Sequence, residues 1–266
     1  MRGGCLRVRE IMDGKHPFIY DDELATKARA MIRDFALRIL PVVKENRKLA
    51  GVVSRGDVMV ISSSVSPIRV KGIMTTPKHV AATEDDAAST VKKMIRLDEW
   101  YTPVVNSAHD ETYKGVLGLE NFIEVSLKRS PKKLAKQVSE IMSKNAVACS
   151  PDDEVDNVWR LMQNQSFAGL PVVNKDKLVG IITQKDLLES GAMLPTFESQ
   201  KGRFRASSKI SAVMKTTVIG VKTSAKISEV AKLMISNNIG RVPVKDNKGR
   251  LIGMVDREDV AKLLAK

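Results

Sequence analysis

One pattern recurs four times along this chain, and it limits the possible folds more than any other feature. A short apolar segment ends in methionine, and a proline between apolar residues follows 29 positions later. The four pairs are Met12 and Pro41, Met74 and Pro103, Met142 and Pro171, and Met214 and Pro243. Because equal spacings of this kind mark an internal repeat, the chain is predicted to consist of copies of one supersecondary unit.

A third motif completes each copy. After each proline come a polar turn and a glycine-led apolar segment that ends in polar residues. These segments are GVVSRGDV (51–58), GVLGLENF (115–122), GIITQKDL (180–187) and GMVDREDV (253–260). The pattern predicts repeats at 1–66, 67–130, 131–198 and 199–266, which together use the whole chain.

The third repeat shows most clearly which elements a copy contains. Ser150 and Pro151 supply the cap and first-turn proline of a helix, and apolar residues continue at helical spacing to Met162. The matching positions in the other copies are Ile32, Met94 and Met234. The order is β-α-β-β-α, with strands at 146–149, 170–173 and 178–182 and a second helix from 184. The fold class is therefore α/β (α+β), and since one unit cannot bury its own faces, the repeats are expected to pair.

Composition limits the partners and the compartment that we expect, and the linkers indicate where the chain divides. A net charge of +13 favours anionic partners, and no apolar run is long enough to span a bilayer. The N-terminus lacks an apolar signal segment, and the two cysteines, Cys5 and Cys149, form no metal-ligand pattern, so we expect a reducing cytoplasm and no metal. The basic segment 126–137 is the expected boundary between two paired halves, and 191–209 is the longest insertion.

These motifs together resemble CBS domains. The anchor ending in Met, the strand with Pro-Val-Val and the closing Gly-h-h-[Ser/Thr]-x-x-Asp, where h is apolar, recur in register over residues 8–264. CBS repeats pair into discs called Bateman modules. Two modules in one chain resemble stand-alone archaeal CBS proteins and the gamma subunit of AMP-activated protein kinase. The resemblance implies a regulatory protein that binds AMP, ADP, ATP or S-adenosylmethionine between paired repeats.

The same resemblance implies that the hydroxyl and carboxylate of the closing motif hold ribose and phosphate. The candidates are Ser54 and Asp57 in repeat one, Thr183 and Asp186 in repeat three, and Asp256 and Asp259 in repeat four. Repeat two has Gly118 and Asn121 there, so its cleft is expected to be vacant, filled instead by Trp100 and Tyr101. The alternative for every such pair is a capping box, which serves the first helical turn rather than a ligand.

Further candidates follow from position. Phosphate contacts are expected from Arg38, Arg55, Lys185, Arg241 and Arg257, with a solvated basic surface as the alternative. Contacts to the base are expected from Ile39, Pro41, Val147, Pro171, Ile219 and Pro243, with simple core packing as the alternative.

Two other function classes are nucleic-acid binding and enzymatic activity. Nucleic-acid binding would use the basic residues of the two linkers, which are Lys128, Arg129, Lys132, Lys133, Lys136, Arg203, Arg205 and Lys209. An enzyme related to IMP dehydrogenase would need a catalytic barrel, for which no residues remain. We therefore expect no catalytic residues and no cofactor besides the nucleotide ligand. The expected partner is an unknown protein, a second copy of the chain or a nucleic acid, and not a membrane.

Overall fold

A computed structural model describes residues 5–59, 61, 66–191 and 208–266. Each copy of the repeat opens at its anchor methionine with a short 3-10 turn, whose first apolar residue is fully buried. These turns are Val8–Glu10, Val70–Gly72, Val138–Glu140 and Ile210–Ala212. None of the helices in the described residues combines the length and apolar character that a bilayer crossing requires.

The first two repeats contain three strands and two helices each. Repeat one comprises β1 (Ile19–Tyr20), α1 (Ala25–Asp34), β2 (Ile39–Val43), β3 (Leu49–Ser54) and α2 (Arg55–Met59). Repeat two comprises β4 (Ala81–Ala82), α3 (Ala87–Arg96), β5 (Tyr101–Val105), β6 (Tyr113–Gly118) and α4 (Leu119–Arg129). In each sheet the first strand is parallel to the second, and the second is antiparallel to the third.

The last two repeats follow the same order with a shorter first strand. Repeat three comprises α5 (Val155–Asn164), β7 (Gly169–Asn174), β8 (Lys177–Thr183) and α6 (Gln184–Ser190). Repeat four comprises α7 (Ile227–Ser236), β9 (Arg241–Lys245), β10 (Leu251–Asp256) and α8 (Arg257–Ala265). The predicted strand at 146–149 is reduced to a single parallel bridge from Cys149 to Val172, and the matching segment of repeat four to one from Val221 to Val244.

The first long helix of every copy ends at the same place, 22 positions after the anchor methionine. The second residue beyond each helix adopts the left-handed conformation, with φ between 48° and 55°, although none of the four is glycine. They are Ala36, Asp98, Ser166 and Asn238. The next N–H donates to a carbonyl five residues back, as Phe167 does to Met162, which is the Schellman arrangement that turns a helix into the following strand.

Glycines explain how the sheets of neighbouring repeats approach each other. A Cβ on Gly180 would lie 2.8 Å from Met214 Sδ and 3.1 Å from the Lys215 carbonyl oxygen. Gly51 meets Met74 and Thr75 in the same way. Backbone bridges cross at these points, including Val52 with Thr75, Asp13 with Val116, Ile181 with Lys215, and Ser143 with Met254. Repeats one and two are thus joined through their sheets, and so are repeats three and four.

The helices pack repeat one against repeat three and repeat two against repeat four. Met162 packs in one core with Ile32, so the helices of repeats one and three share an interior. Met234 packs in a second core with Met94, which unites repeats two and four. All four residues are fully buried, as their matching positions in the sequence predict. The four copies therefore meet around a common centre.

Candidate functional site

A cavity of about 690 Å³ lies at this centre and is lined by residues of all four repeats. Six of its lining residues are basic and four are acidic. The basic residues are Arg38, Arg55, Lys78, Lys185, Lys215 and Arg241, and the acidic residues are Asp98, Asp186, Asp256 and Glu258. A concave site with this excess of cations is suited to an anionic ligand.

Thr183 and Asp186 form the wall of the cavity in repeat three, where β8 ends and α6 begins. Asp186 Oδ2 accepts hydrogen bonds from Thr183 N at 2.9 Å and from Thr183 Oγ1 at 2.5 Å. Thr183 Oγ1 accepts in turn from Asp186 N at 3.2 Å. The pair is thus a complete capping box, and this local role holds the carboxylate in one orientation.

The second carboxylate oxygen of Asp186 is held by a lysine. Oδ1 is buried and forms an ion pair with Lys215 Nζ at 2.9 Å. The Asp186 side chain is 4 % exposed, whereas that of Lys215 is 57 % exposed. Contact with this carboxylate raises the pKa of Lys215. Because a buried carboxylate oxygen needs hydrogen-bond donors, the hydroxyls of a ligand would be held well here.

Three arginines also line the cavity. Arg55 Nε and Nη2 donate at 2.7 Å to the carbonyls of Leu37 and Ala36. Burial lowers the pKa of Arg55 to about 10, and the positive charge of Arg38 acts in the same direction, so Arg55 remains charged at neutral pH. Arg38 itself donates to Tyr101 Oη at 2.8 Å and to Asn238 O at 3.0 Å.

Arg241 is the third arginine of the cavity. Its guanidinium lies 4.7 Å from the centre of the Trp100 ring. Burial lowers its pKa, the Asp256 carboxylate opposes that effect, and the charge of Arg38 adds to it. Lys185 also faces the cavity and forms an ion pair with Glu189 at 3.5 Å. Four of the five predicted phosphate contacts therefore line one cavity, and Arg257 does not.

The residues predicted to contact a base are dispersed. Ile219 lines the cavity beside Val218, close to Lys215. Ile39 is buried where the sheets of repeats one and two pack together, and Val147 is 41 % exposed. Three candidates are buried within strands, namely Pro41, Pro171 and Pro243. The arrangement thus brings only Ile219 of this group to the candidate site.

Repeat one forms the same kind of turn with Ser54 and Asp57, but Asp57 lines a different cleft. Ser54 N and Oγ both donate to Asp57 Oδ2 at 2.7 Å, and Asp57 N donates to Ser54 Oγ at 3.3 Å. Asp57 lines a separate cleft of about 480 Å³ with Trp159 and Met162, between the helices of repeats one and three. This pair has the predicted local geometry, but it lies outside the central cavity.

Repeat four places two carboxylates in the same turn. Asp256 N donates to Asp259 Oδ2, and Asp259 N donates to Asp256 Oδ1, both at 3.0 Å. Burial raises the pKa of Asp259 to about 7, and the neighbouring Asp256 adds to the shift. Asp256 lines the central cavity near Arg241, while Asp259 does not. A negative charge here disfavours a phosphate.

Repeat two lacks both side chains, and its neighbourhood is filled. Gly118 N donates to Asn121 Oδ1 at 2.8 Å, and Gly118 pairs with Tyr101 across the sheet. Trp100 instead reaches repeat four, where its ring contacts Gly240 and its Nε1 donates to Glu258 at 3.2 Å. Tyr101 therefore lies against the turn of repeat two, and Trp100 does not.

Two residues of this region were missed by the sequence analysis. Lys215 follows the anchor methionine of repeat four and pairs with Asp186. Glu120 follows Gly118 by two positions and pairs with Arg257. A signal existed for Lys215, since residues just after each anchor methionine cross to the partner repeat.

The basic residues of the two linkers differ in whether they are paired with other groups. Lys128, Arg129 and Lys132 are exposed. Lys133 donates to the Leu264 carbonyl, and Lys136 pairs with Glu140. In the insertion Lys209 is exposed, and Arg203 and Arg205 lie outside the described residues. Nucleic-acid binding stays a prediction.

Comparisons with known proteins agree with the repeated architecture. The uncharacterized protein MJ1225 of Methanocaldococcus jannaschii is 25 % identical over 282 residues, covering 98 % of this chain and 99 % of that protein. Its crystal structure, proposed to be that of an archaeal homologue of g-AMPK, matches 97 % of this chain with a TM-score of 0.85 at 23 % identity and covers 99 % of that chain. An uncharacterized conserved protein from Pyrococcus horikoshii matches 97 % of this chain and 100 % of its own, with a TM-score of 0.67 at 21 % identity. These likenesses establish the fold.

A third relative is an enzyme of which this chain covers a small part. Inosine-5'-monophosphate dehydrogenase of Methanocaldococcus jannaschii is 34 % identical over 128 residues, which is 48 % of this chain and 23 % of that enzyme. The match therefore leaves most of the enzyme without a counterpart in this chain.

A family model gives the most direct assignment. The model of the CBS domain matches residues 8–64, 138–192 and 210–266. The second repeat lies outside these ranges, in keeping with its Gly118 and Asn121. Since the matched residues make up more than half of the sequence, the chain belongs to the CBS domain family.

Proposed function

We propose that this chain is a regulatory protein that binds one adenosine nucleotide, AMP, ADP or ATP, in its central cavity against Thr183 and Asp186. The observation that carries the proposal is the oriented, buried Asp186 carboxylate, which lines a cavity with an excess of basic side chains. A ribose presents two hydroxyl donors to such an oxygen, and a phosphate is drawn to the cations around it.

Each part of the ligand has a candidate contact. The ribose hydroxyls would donate to Asp186 Oδ1 and displace the Lys215 ammonium, which is paired with this oxygen, towards the phosphate. Arg55 and Arg38, which also line the cavity, would meet the phosphate. Ile219 would contact the base. The specificity of this arrangement for adenine rests on the family resemblance rather than on a base-reading side chain.

The regulatory part of the proposal follows from where the cavity lies. Its walls come from all four repeats, so a bound nucleotide would bear on both the sheet and the helix contacts between them. A ligand shifts such an assembly only by its difference in affinity for two states, typically about 1–3 kcal/mol. The readout would be an unidentified protein partner or a second copy of the chain. We propose no catalytic role, because the segment matched to IMP dehydrogenase is a minor part of that enzyme.

Thermal unfolding with a panel of ligands tests the proposal. AMP, ADP, ATP, S-adenosylmethionine and GTP are compared at matched ionic strength. A ligand that binds only the folded state stabilises it by about 2.7 kcal/mol at a hundred times its dissociation constant, which raises the midpoint by several degrees. We expect this shift with an adenosine nucleotide, and a much smaller shift with GTP.

A matched pair of variants locates the effect. Asp186→Asn keeps an oxygen for the cap while it removes the charge that faces the cavity. Asp153→Asn is the control, because Asp153 accepts from Ser150 N at 2.8 Å in the same kind of turn but lies outside the cavity. The nucleotide shift should disappear in the first variant and persist in the second. Equal shifts in both, or none with any nucleotide in the wild type, would contradict the proposal.

A further inference from the structure

Arg55 and Arg257 occupy the same place in repeats one and four, one position after the third strand of the copy. Each is held by the left-handed turn of its own repeat. Arg55 Nη2 donates to Ala36 O at 2.7 Å, and Arg257 Nη2 donates to Asn238 Oδ1 at 3.2 Å. Each guanidinium then faces the repeat that shares its helical core, which is repeat three for Arg55 and repeat two for Arg257.

The two arginines differ in what they face. Arg55 lines the central cavity and forms no ion pair with any carboxylate of the described residues. Arg257 is sealed from solvent, with a side chain 1 % exposed. Its Nη1 donates to Tyr101 Oη at 2.7 Å and lies 3.0 Å from Glu120 Oε2. One arginine is thus open to a ligand, and its counterpart already has an internal anion.

The Glu120 carboxylate lies against Gly118 in the turn of repeat two. A Cβ on Gly118 would lie 2.6 Å from the Glu120 carboxyl carbon and from its Oε2. The other repeats place Ser54, Thr183 or Asp256 there. The carboxylate therefore folds back over the site that a hydroxyl or acid side chain fills in the other copies.

The ion pair of Glu120 and Arg257 is enclosed by the protein. Glu120 Oε2 and Arg257 Nε are both buried, and Glu120 Oε2 has the Arg257 guanidinium 3.0 Å away as its counter-charge. An arginine so enclosed is costly without a counter-charge, since removing one partner of a buried ion pair leaves an uncompensated charge. Burial raises the pKa of Tyr101 to about 12, and Glu120 adds to the shift, so the phenol stays protonated beside the pair.

We propose that the Glu120 carboxylate is a built-in anion that occupies the place of a ligand phosphate beside Arg257. The proposal extends the proposed function, because it states which part of the centre receives the nucleotide. With Arg257 already neutralised, nucleotide phosphate is directed to the side of Arg55 and Thr183. Removing the carboxylate without filling its space creates a second anion site in repeat two.

Inorganic phosphate is the probe that tests this inference. Thermal unfolding of the wild type and of Glu120→Ala is measured in phosphate and in chloride at equal ionic strength. In chloride, we expect Glu120→Ala to unfold at a lower temperature than the wild type. The rise in its unfolding midpoint from chloride to phosphate should be about twofold or more the rise seen in the wild type. Glu120→Gln is the control, because it removes the charge but keeps the space filled, and it should show no added phosphate effect. Equal phosphate shifts in all three proteins would overturn the proposal.

A second variant covers the case in which Glu120→Ala does not fold in chloride. Glu120→Gly reproduces the residue that repeat one has at this position, Gly56. The proposal requires at least one of the two variants to fold in phosphate, and failure of both there overturns it. The result is separate from the nucleotide test. Absence of AMP binding to the wild type, together with phosphate rescue of Glu120→Ala, would reject the proposed function alone.

Discussion

Gly180→Ala tests the contact that joins repeats three and four beside the candidate site. The added methyl group would lie 2.8 Å from Met214 Sδ and 3.1 Å from the Lys215 carbonyl oxygen. The flexible methionine can rotate away at little cost. The carbonyl cannot, because it accepts from Ile181 N at 2.9 Å and so ties the two repeats together.

The expected magnitude combines two opposing effects. Overpacking a tight interior typically costs about 1–3 kcal/mol, and the low half applies here because the methionine yields. Replacing glycine with alanine also restricts the unfolded chain, which restores about 0.4–1 kcal/mol. The net result is a loss of about 1 kcal/mol, or a fall of about 2–4 °C in the midpoint. Because Lys215 moves with its backbone, nucleotide affinity should fall as well.

Thermal unfolding with and without AMP measures both effects. The control is Gly14→Ala, since a Cβ at Gly14 meets its nearest atoms at 3.9 Å, an ordinary contact. We expect the control to be as stable as the wild type or slightly more stable, with unchanged nucleotide binding. The reasoning is refuted if Gly180→Ala matches its control in stability.

Three further predictions follow from the described contacts. Met162→Ala, which leaves a void in the core shared by repeats one and three, should lower the free energy of unfolding by about 2–5 kcal/mol in urea titrations. Thr183→Ala removes the cap at the start of α6 and should cost about 1 kcal/mol by the same assay, with weaker AMP binding by calorimetry. Asp259 has its pKa raised to about 7 by burial and by Asp256, so the folded state holds a proton that the unfolded chain releases, and stability should fall as pH rises from about 4 to about 7. Asp259→Asn should flatten that decline in unfolding midpoints measured across the pH range, and an unchanged slope would contradict the assignment.

The repeat unit could largely be predicted, because the constant spacing of its motifs shows which positions are equivalent. The constant interval from methionine to proline placed Ile32, Met94, Met162 and Met234 at equivalent core positions, and all four are fully buried. The closing turns of repeats one, three and four form capping boxes, which the sequence allowed as the alternative to ligand contact, and that ligand contact stays a prediction. The family resemblance was confirmed by the CBS domain model. Periodicity works here because each copy must bury the same faces.

The arrangement of the copies was not predictable in the same way. Spacing reports which positions are equivalent, but it does not say which copy contributes the opposing helix. The helical cores unite repeats one with three and two with four, so the walls of the cavity come from residues far apart in sequence, such as Arg55 and Asp186. The role of Glu120 was hidden for the same reason, since its partner Arg257 lies in another repeat.

A crystal structure of the protein grown with AMP would show where the nucleotide binds. We expect one nucleotide in the central cavity, with its ribose hydroxyls on Asp186 Oδ1, its phosphate towards Arg55 and Arg38, and the Lys215 ammonium displaced from the carboxylate. A nucleotide bound elsewhere, or an empty cavity with the Asp186–Lys215 pair intact at saturating AMP, would contradict this expectation.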